Sequence, residues 1–212
     1  MSRYFIGLTG ASGHLYGERL MRALAALGHD LDLALTPAGA KVLRHELGVD
    51  AGPEGAELEA SLPRWLGEDT ARRVRVFKSD EIEAPASSGT AGIAAVILCP
   101  CSMGTLARVS AGFSSNLVER AADVAIKERR PLLLVVRETP LSEIHLENLL
   151  RMARLGAQVL PAMPGFYQRP ENLAELVDQL VGKILDGLGL EHELGKRWSG
   201  ELAGDPGLEG CS

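Results

Sequence analysis

Between Pro131 and Arg137 the chain runs Leu132-Leu133-Leu134-Val135-Val136 with no polar interruption. A strand of this kind has no face to offer water, so it must lie inside a sheet that is covered on both sides. Residues 93–99 read the same way and end at Pro100-Cys101-Ser102-Met103-Gly104-Thr105, where a helix can open. Two doubly buried strands separated by helix-periodic sequence imply parallel pairing, because a parallel connection needs a long crossover.

The same unit recurs upstream. Residues 4–9 form a short apolar run closed by Gly10-Ala11-Ser12-Gly13, after which Leu15, Arg19, Leu20, Leu24 and Leu27 return at helical spacing. Gly28 ends that helix, and Leu31, Leu33 and Leu35 alternate up to Thr36-Pro37, where a helix through Val42, Leu43 and Leu47 starts. Residues 49–63 are rich in Gly, Ala and Glu and are expected to be an irregular excursion, followed by a strand over 74–77 and a small-residue loop over 85–90. Helices are expected at about 106–112 and 117–130, then over 142–154 and 172–188, with a small strand near 158–160 and a loop over 161–170. This alternation predicts a single doubly wound, Rossmann-like or flavodoxin-like α/β domain with a parallel sheet flanked by helices.

A length of 212 residues suits one domain, expected over 1–190, and a tail over 191–212 whose distal end is expected to be flexible. A net charge of -6 argues against a general nucleic-acid or anionic-membrane surface and favours a small partner. No basic segment leads into a long apolar stretch near the start, and no run of about 18 apolar residues suggests a membrane span. Cys99, Cys101 and Cys211 fit no disulfide framework, so a reducing cytoplasm is the expected location. No metal is expected, because the Cys-x-Cys pair lacks the further ligands of a tetrahedral set.

Open parallel sheets bind ligands beyond the carboxyl ends of their strands, which here carry Gly10 to Gly13, Thr36, Cys101 to Thr105, Arg137-Glu138 and Tyr167. The first glycine turn is either a plain strand-to-helix turn or an anion site built from close-approaching amides, the Ser12 hydroxyl and a helix N-terminus. A dinucleotide fingerprint and a Walker loop are both missing, and Thr36 stands where a ribose-binding acid would be expected, which leaves a mononucleotide such as FMN. Ser102 and Thr105 offer hydroxyls and helix-start amides, while Met103 either lies against a ligand or fills a gap. Arg120, Asp123 and Lys127 share one helical stripe that is either a solvated face, a phosphate-facing pair or a subunit contact. His145, beside Ile144 and Leu146, reads as structural.

Six segments carry a resemblance to a known family: Thr9-Gly-Ala-Ser-Gly13, Cys99-Pro-Cys-Ser102, Glu119-Arg-Ala-Ala-Asp123, Lys127-Glu-Arg-Arg-Pro131, Ile144-His-Leu-Glu-Asn148 and Pro164-Gly-Phe-Tyr167. In order and spacing they resemble the UbiX-type flavin prenyltransferases, from about residue 2 to 190, and Trp198 stands where that family has a tail tryptophan. The resemblance implies a homododecamer with its site between subunits. FMN would be held by Gly10, Ala11, Ser12, Thr36, Ser102, Met103, Gly104, Thr105 and Arg137. A dimethylallyl group from a phosphate or diphosphate ester would join N5 and C6 of the reduced flavin, and prenylated FMN would pass to a UbiD-type decarboxylase.

By the same resemblance Ser88, Gly89, Arg120, Lys127, Tyr167 and Lys183 would bind the ester. Lys127 would also serve the chemistry, together with Glu138 as acid and base, Glu46 and Ser12 at the reacting flavin edge, and Trp198 as an aromatic wall. These types suit the reaction, since a departing phosphate needs cations and an allyl cation is stabilised by an aromatic face. Lys183 stands where the family frequently has arginine and grips phosphate without the bidentate fork, which leaves the choice between monophosphate and diphosphate open. Two rivals share the fold. An FMN-dependent cysteine decarboxylase would need a catalytic histidine and a Pro-x-Met-Asn-x-x-Met loop that are not evident, and a non-catalytic flavin-delivery module would not need Glu138 or Lys127.

Overall fold

A computed structural model describes residues 1–52, 55–166 and 168–195. Its strands are β1 (Arg3–Leu8), β2 (Asp30–Leu35), β3 (Val74–Phe77), β4 (Ile93–Cys101), β5 (Leu132–Val136) and β6 (Gln158–Pro161), all pairing in parallel in the order β3-β2-β1-β4-β5-β6. The helices are α1 (His14–Ala26), α2 (Pro37–Leu47), α3 (Leu58–Leu66), α4 (Glu68–Ala71), α5 (Met103–Ser110), α6 (Leu117–Lys127), α7 (Glu143–Arg154) and α8 (Leu173–Gly187). Strand order reverses between β1 and β4, and a crevice opens beyond the carboxyl ends of strands at such a switch point.

Two cores explain the strand patterns. Tyr4, Ile6 and Leu8 of β1 face α1, α2, α3 and α8 together with Leu31, Leu33 and Leu35, whereas Phe5 faces the layer of α5, α6 and α7. All five residues of β5 are buried, as a strand covered on both faces requires. On β4 the register against β5 shifts between Leu98 and Cys101, so Cys99 enters one core and Cys101 the other. Burial pushes the Cys101 thiol up to about 12 and the Cys99 thiol upward as well. Both are buried sulfurs, packed into opposite cores of the sheet.

Close approach of α1 to the switch point depends on Gly17, because a Cβ there would stand 2.6 Å from the Cys99 carbonyl oxygen and 2.8 Å from Leu8 Cδ2. The region expected to be irregular over 49–63 contains the start of α3 instead. Leu58, Leu62, Trp65 and Leu66 share one buried face at helical spacing, and Pro63 falls inside the helix, where it removes one donor without ending it. Helix α6 stops at Lys127, three residues short of the expected end, and Arg129 turns left-handed with φ 55° before Pro131. Among the described residues no helix is long and apolar enough to cross a membrane.

Candidate active site

Thr9, the first residue beyond β1, ties the two halves of the switch point together. Its hydroxyl donates to the Pro100 carbonyl at 2.9 Å and accepts the Ser102 amide at 2.7 Å, while its own amide donates to the Pro100 carbonyl at 3.2 Å. The residue is wholly buried, so the loop after β1 and the start of α5 move as one piece. His14 adds a further tie, with Nε2 3.1 Å from the Thr9 carbonyl. Burial drives the His14 imidazole below its ordinary value, against the pull of Glu46 and the Thr9 carbonyl, so the ring is neutral and Nε2 donates.

The anion at the N-terminus of α1 is the chain's own Glu46, reaching across from α2. The Gly13 amide donates to both carboxylate oxygens at 3.1 and 3.0 Å, and the His14 amide donates at 2.9 Å. Burial alone would raise this carboxyl, yet the Ser12 hydroxyl and the His14 and Gly13 amides hold it below the ordinary carboxylate value. The positive end of α1 is therefore already occupied, as helix-start electrostatics favour.

Helix α5 is different. Ser102 caps it by accepting the Thr105 amide at 3.3 Å and donates to Thr105 Oγ1 at 3.2 Å, while the Met103 and Gly104 amides have no acceptor among the described residues. From one turn further on, Arg108 reaches back, with Nη2 3.4 Å from Thr105 Oγ1. Its Nε donates to Glu119 of α6, which is 0% exposed and also accepts the Ser115 amide at 3.0 Å and the Ser115 hydroxyl. Burial pushes Glu119 up, but Ser115 and Arg108 together hold it below the ordinary value.

At the end of β5, the Arg137 amide lies 3.4 Å from the Cys101 carbonyl, and Arg137 Nε is buried with no hydrogen-bond partner among the described residues. A buried donor without an acceptor is a place where a ligand oxygen fits. Glu138 accepts its neighbour Thr139's amide on Oε1 at 3.1 Å. Thr36, at the end of β2, caps α2 by accepting the Gly39 amide at 3.0 Å. One rim thus gathers Gly10, Ala11, Ser12, Thr36, Glu46, Ser102, Met103, Gly104, Thr105, Arg137 and Glu138.

Of the residues expected on the ester, Ser88, Gly89, Lys127 and Lys183 lie away from that rim within this chain. Helix α6 begins near the carboxyl rim, where the Leu117 amide donates to the Ser79 carbonyl, and runs antiparallel to the strands, so Lys127 lies near their amino ends. Ser88 and Gly89 sit beside it: Arg130 donates to the Gly89 carbonyl, and a Cβ on Gly89 would collide with the Glu128 carboxylate. Lys127 pairs with Glu128 at 3.1 Å and Arg120 with Asp123 at 3.1 Å. Lys183, paired with Asp186 at 3.6 Å, belongs to α8 in the opposite helix layer. Tyr167 and Trp198 lie outside the described residues. Beyond α8, His192 Nε2 stands 3.2 Å from Asp186 and its Nδ1 accepts the Leu194 amide, which folds residues 192–194 back on the helix.

Sequence reasoning missed Thr9 as a tie, Glu46 as a cap, and the Glu119–Arg108 pair. Only Arg108 left a signal, because it follows Ser102 and Thr105 at intervals of three on one helix face. His145 proves to be half of a capping box, exchanging bonds with Ser142 at 3.2 and 3.3 Å, in keeping with a structural role.

A family model described as Flavoprotein matches residues 2–186. A flavin prenyltransferase UbiX of Halalkalibacterium halodurans is 44% identical over 198 residues, which cover 93% of this chain and 94% of that protein. The solved structure of AnUbiX (PadA1) in complex with FMN and dimethylallyl pyrophosphate matches at a TM-score of 0.82 and 36% identity, covering 94% of this chain and 98% of that one. A dodecameric FMN-dependent Ubix-like decarboxylase from Escherichia coli matches at a TM-score of 0.81 and 36% identity, covering 93% and 99%.

Proposed function

Since this chain belongs to the flavoprotein family, and within it to the UbiX flavin prenyltransferases, we propose that it joins a dimethylallyl group to N5 and C6 of reduced FMN. The donor is dimethylallyl phosphate or diphosphate, and the product is the prenylated flavin used by UbiD-type decarboxylases. The observation that carries this reading is the relative of the same fold that holds both FMN and the allylic ester. The rim fits a flavin mononucleotide: the Met103 and Gly104 amides and Arg137 Nε, without partners among the described residues, and the hydroxyls of Thr36 and Thr105 offer donors on one side of the sheet, with the Ser12 and Ser102 hydroxyls beside them. Gly10 and Ala11 add close-approaching backbone beside Ser12.

Bound there, the reduced flavin supplies the electron-rich N5 and C6 edge that takes the dimethylallyl carbon. Glu46, ionised at neutral pH and fixed by the Gly13 and His14 amides, holds the Ser12 hydroxyl in place at that edge. Glu138 keeps Oε2 without a partner among the described residues and is the carboxyl that carries protons between the flavin and the leaving phosphate. Ser88, Gly89, Arg120, Lys127, Tyr167 and Lys183 receive the phosphate, and Trp198 of the tail screens the allyl cation from water. The ion pairs that now occupy Arg120 and Lys127 are partly exposed and worth about 0–1 kcal/mol each, so a phosphate displaces them at little cost.

Because one chain keeps Ser88, Gly89, Lys127 and Lys183 apart from the flavin rim, the pocket closes between subunits. A homododecamer accounts for this and for α7, which buries Met152 but leaves Ile144, Leu146 and Leu150 exposed. The same reading makes 1–190 the FMN domain, 191–212 the tail that contributes Trp198, and the cytoplasm the place of action. The test incubates the protein with reduced FMN and either ester and weighs the extracted flavin. A mass gain of one dimethylallyl unit is expected, and unmodified flavin released from FMN-loaded protein rejects the reading. Glu138→Ala and Lys127→Ala variants that still modify the flavin at the parent rate would strike out those roles.

A further inference from the structure

We infer that Arg108 is a further ligand of the flavin's phosphate and the residue that makes this site prefer FMN to riboflavin. The inference rests on the reading that residues 102–105 hold FMN. Two helix N-termini flank the switch point, and a phosphate dianion can use only one that is not already neutralised. Glu46 occupies the start of α1 through the Gly13 and His14 amides, so a phosphate there would meet a carboxylate. The start of α5 has the opposite character, with the Met103 and Gly104 amides unbonded among the described residues and the helix dipole pointing at them.

Arg108 completes that pole. Its Nη1 lies 3.6 Å from where a Gly104 Cβ would stand, so the glycine leaves the space between amide and guanidinium open. Nη2 is 3.4 Å from Thr105 Oγ1, and Nη1 has no acceptor among the described residues. The half-exposed guanidinium is anchored through its Nε to Glu119, a carboxylate at 0% exposure that is itself fixed by the Ser115 amide and hydroxyl. An ionised carboxylate is costly to bury, and this one is tolerated because three donors meet it. The Nε edge of the fork is thereby used on the protein, and the Nη edge faces the open helix start, the geometry in which arginine binds phosphate.

Dissociation constants for FMN and for riboflavin, read from quenching of flavin fluorescence, test this in the parent protein and in Arg108→Ala, Arg108→Lys and Glu119→Gln. Arg108→Ala should weaken FMN by about tenfold or more while leaving riboflavin within about twofold. Arg108→Lys should restore part of the difference, and Glu119→Gln should move FMN in the same direction by a smaller factor. The ratio of the two constants within one variant cancels any general loss of fold. An unchanged ratio in Arg108→Ala overturns the inference, whether both flavins weaken together or neither does. If instead the parent fails to bind FMN, or Gly104→Val leaves FMN affinity intact, the placement of the flavin at residues 102–105 is what has failed.

Discussion

Replacing Thr9 by valine keeps the shape of the side chain and removes its hydroxyl. The Ser102 amide then loses its acceptor, which now stands at 2.7 Å, and the Pro100 carbonyl loses one of two donors. A buried amide left without a partner costs about 1–3 kcal/mol, and the weakened carbonyl adds a fraction more, so the loss is about 2–3 kcal/mol. For a chain of this length that corresponds to a fall of roughly 4–12 °C in melting temperature. Thr9→Ser keeps both bonds and removes a methyl group, so it should lose about 1 kcal/mol or less. The assay is thermal unfolding of all three proteins at equal subunit concentration, since assembly makes melting concentration-dependent. FMN affinity should follow the same order, because Thr9 holds the first turn of α5 against the loop after β1. The reasoning is refuted if valine melts like the parent, or if serine falls as far as valine.

Three further outcomes are expected. Gly17→Ala should destabilise by about 1–3 kcal/mol in a denaturant titration, because the new methyl group meets the Cys99 carbonyl oxygen, a backbone atom that cannot move aside cheaply. Glu46→Gln should cost about 1 kcal/mol by the same measurement, since a neutral amide caps α1 less well than a carboxylate. Glu119 is held below its ordinary value of 4.5, so its contribution to stability is complete above that value and is lost as pH falls through the lower folded one. The stability gap between parent and Glu119→Gln should accordingly be widest above pH 4.5 and shrink under acid, as urea titrations across pH would show; a gap that widens under acid contradicts the sign.

The strands and the rim were legible in the sequence because both faces of β4 and β5 are buried, which leaves an unbroken apolar run. Small and polar residues must then follow wherever a strand stops at the crevice. Helix α3 escaped notice because Pro63 and its Gly, Ala and Glu surroundings mask the spacing of Leu58, Leu62, Trp65 and Leu66. Contacts between elements were harder still. Glu46 and Gly13 stand 33 positions apart, and Arg108 meets Glu119 across a turn, so neither pairing leaves a period in the sequence. The distance between Lys127 and the glycine turn follows from the direction of α6, which the alternation of strands and helices does contain. Motif order alone says only that these residues belong to one reaction, and says nothing of which copy of the chain supplies each.

That division of labour has a kinetic consequence. If each pocket borrows its cations from a neighbour, specific activity depends on how much of the protein is assembled, and it should fall on dilution while circular dichroism still reports folded chains. Mixing two inactive variants, one altered at Ser102 and the other at Lys127, should then return a share of the turnover, because some mixed pockets inherit an intact half from each parent.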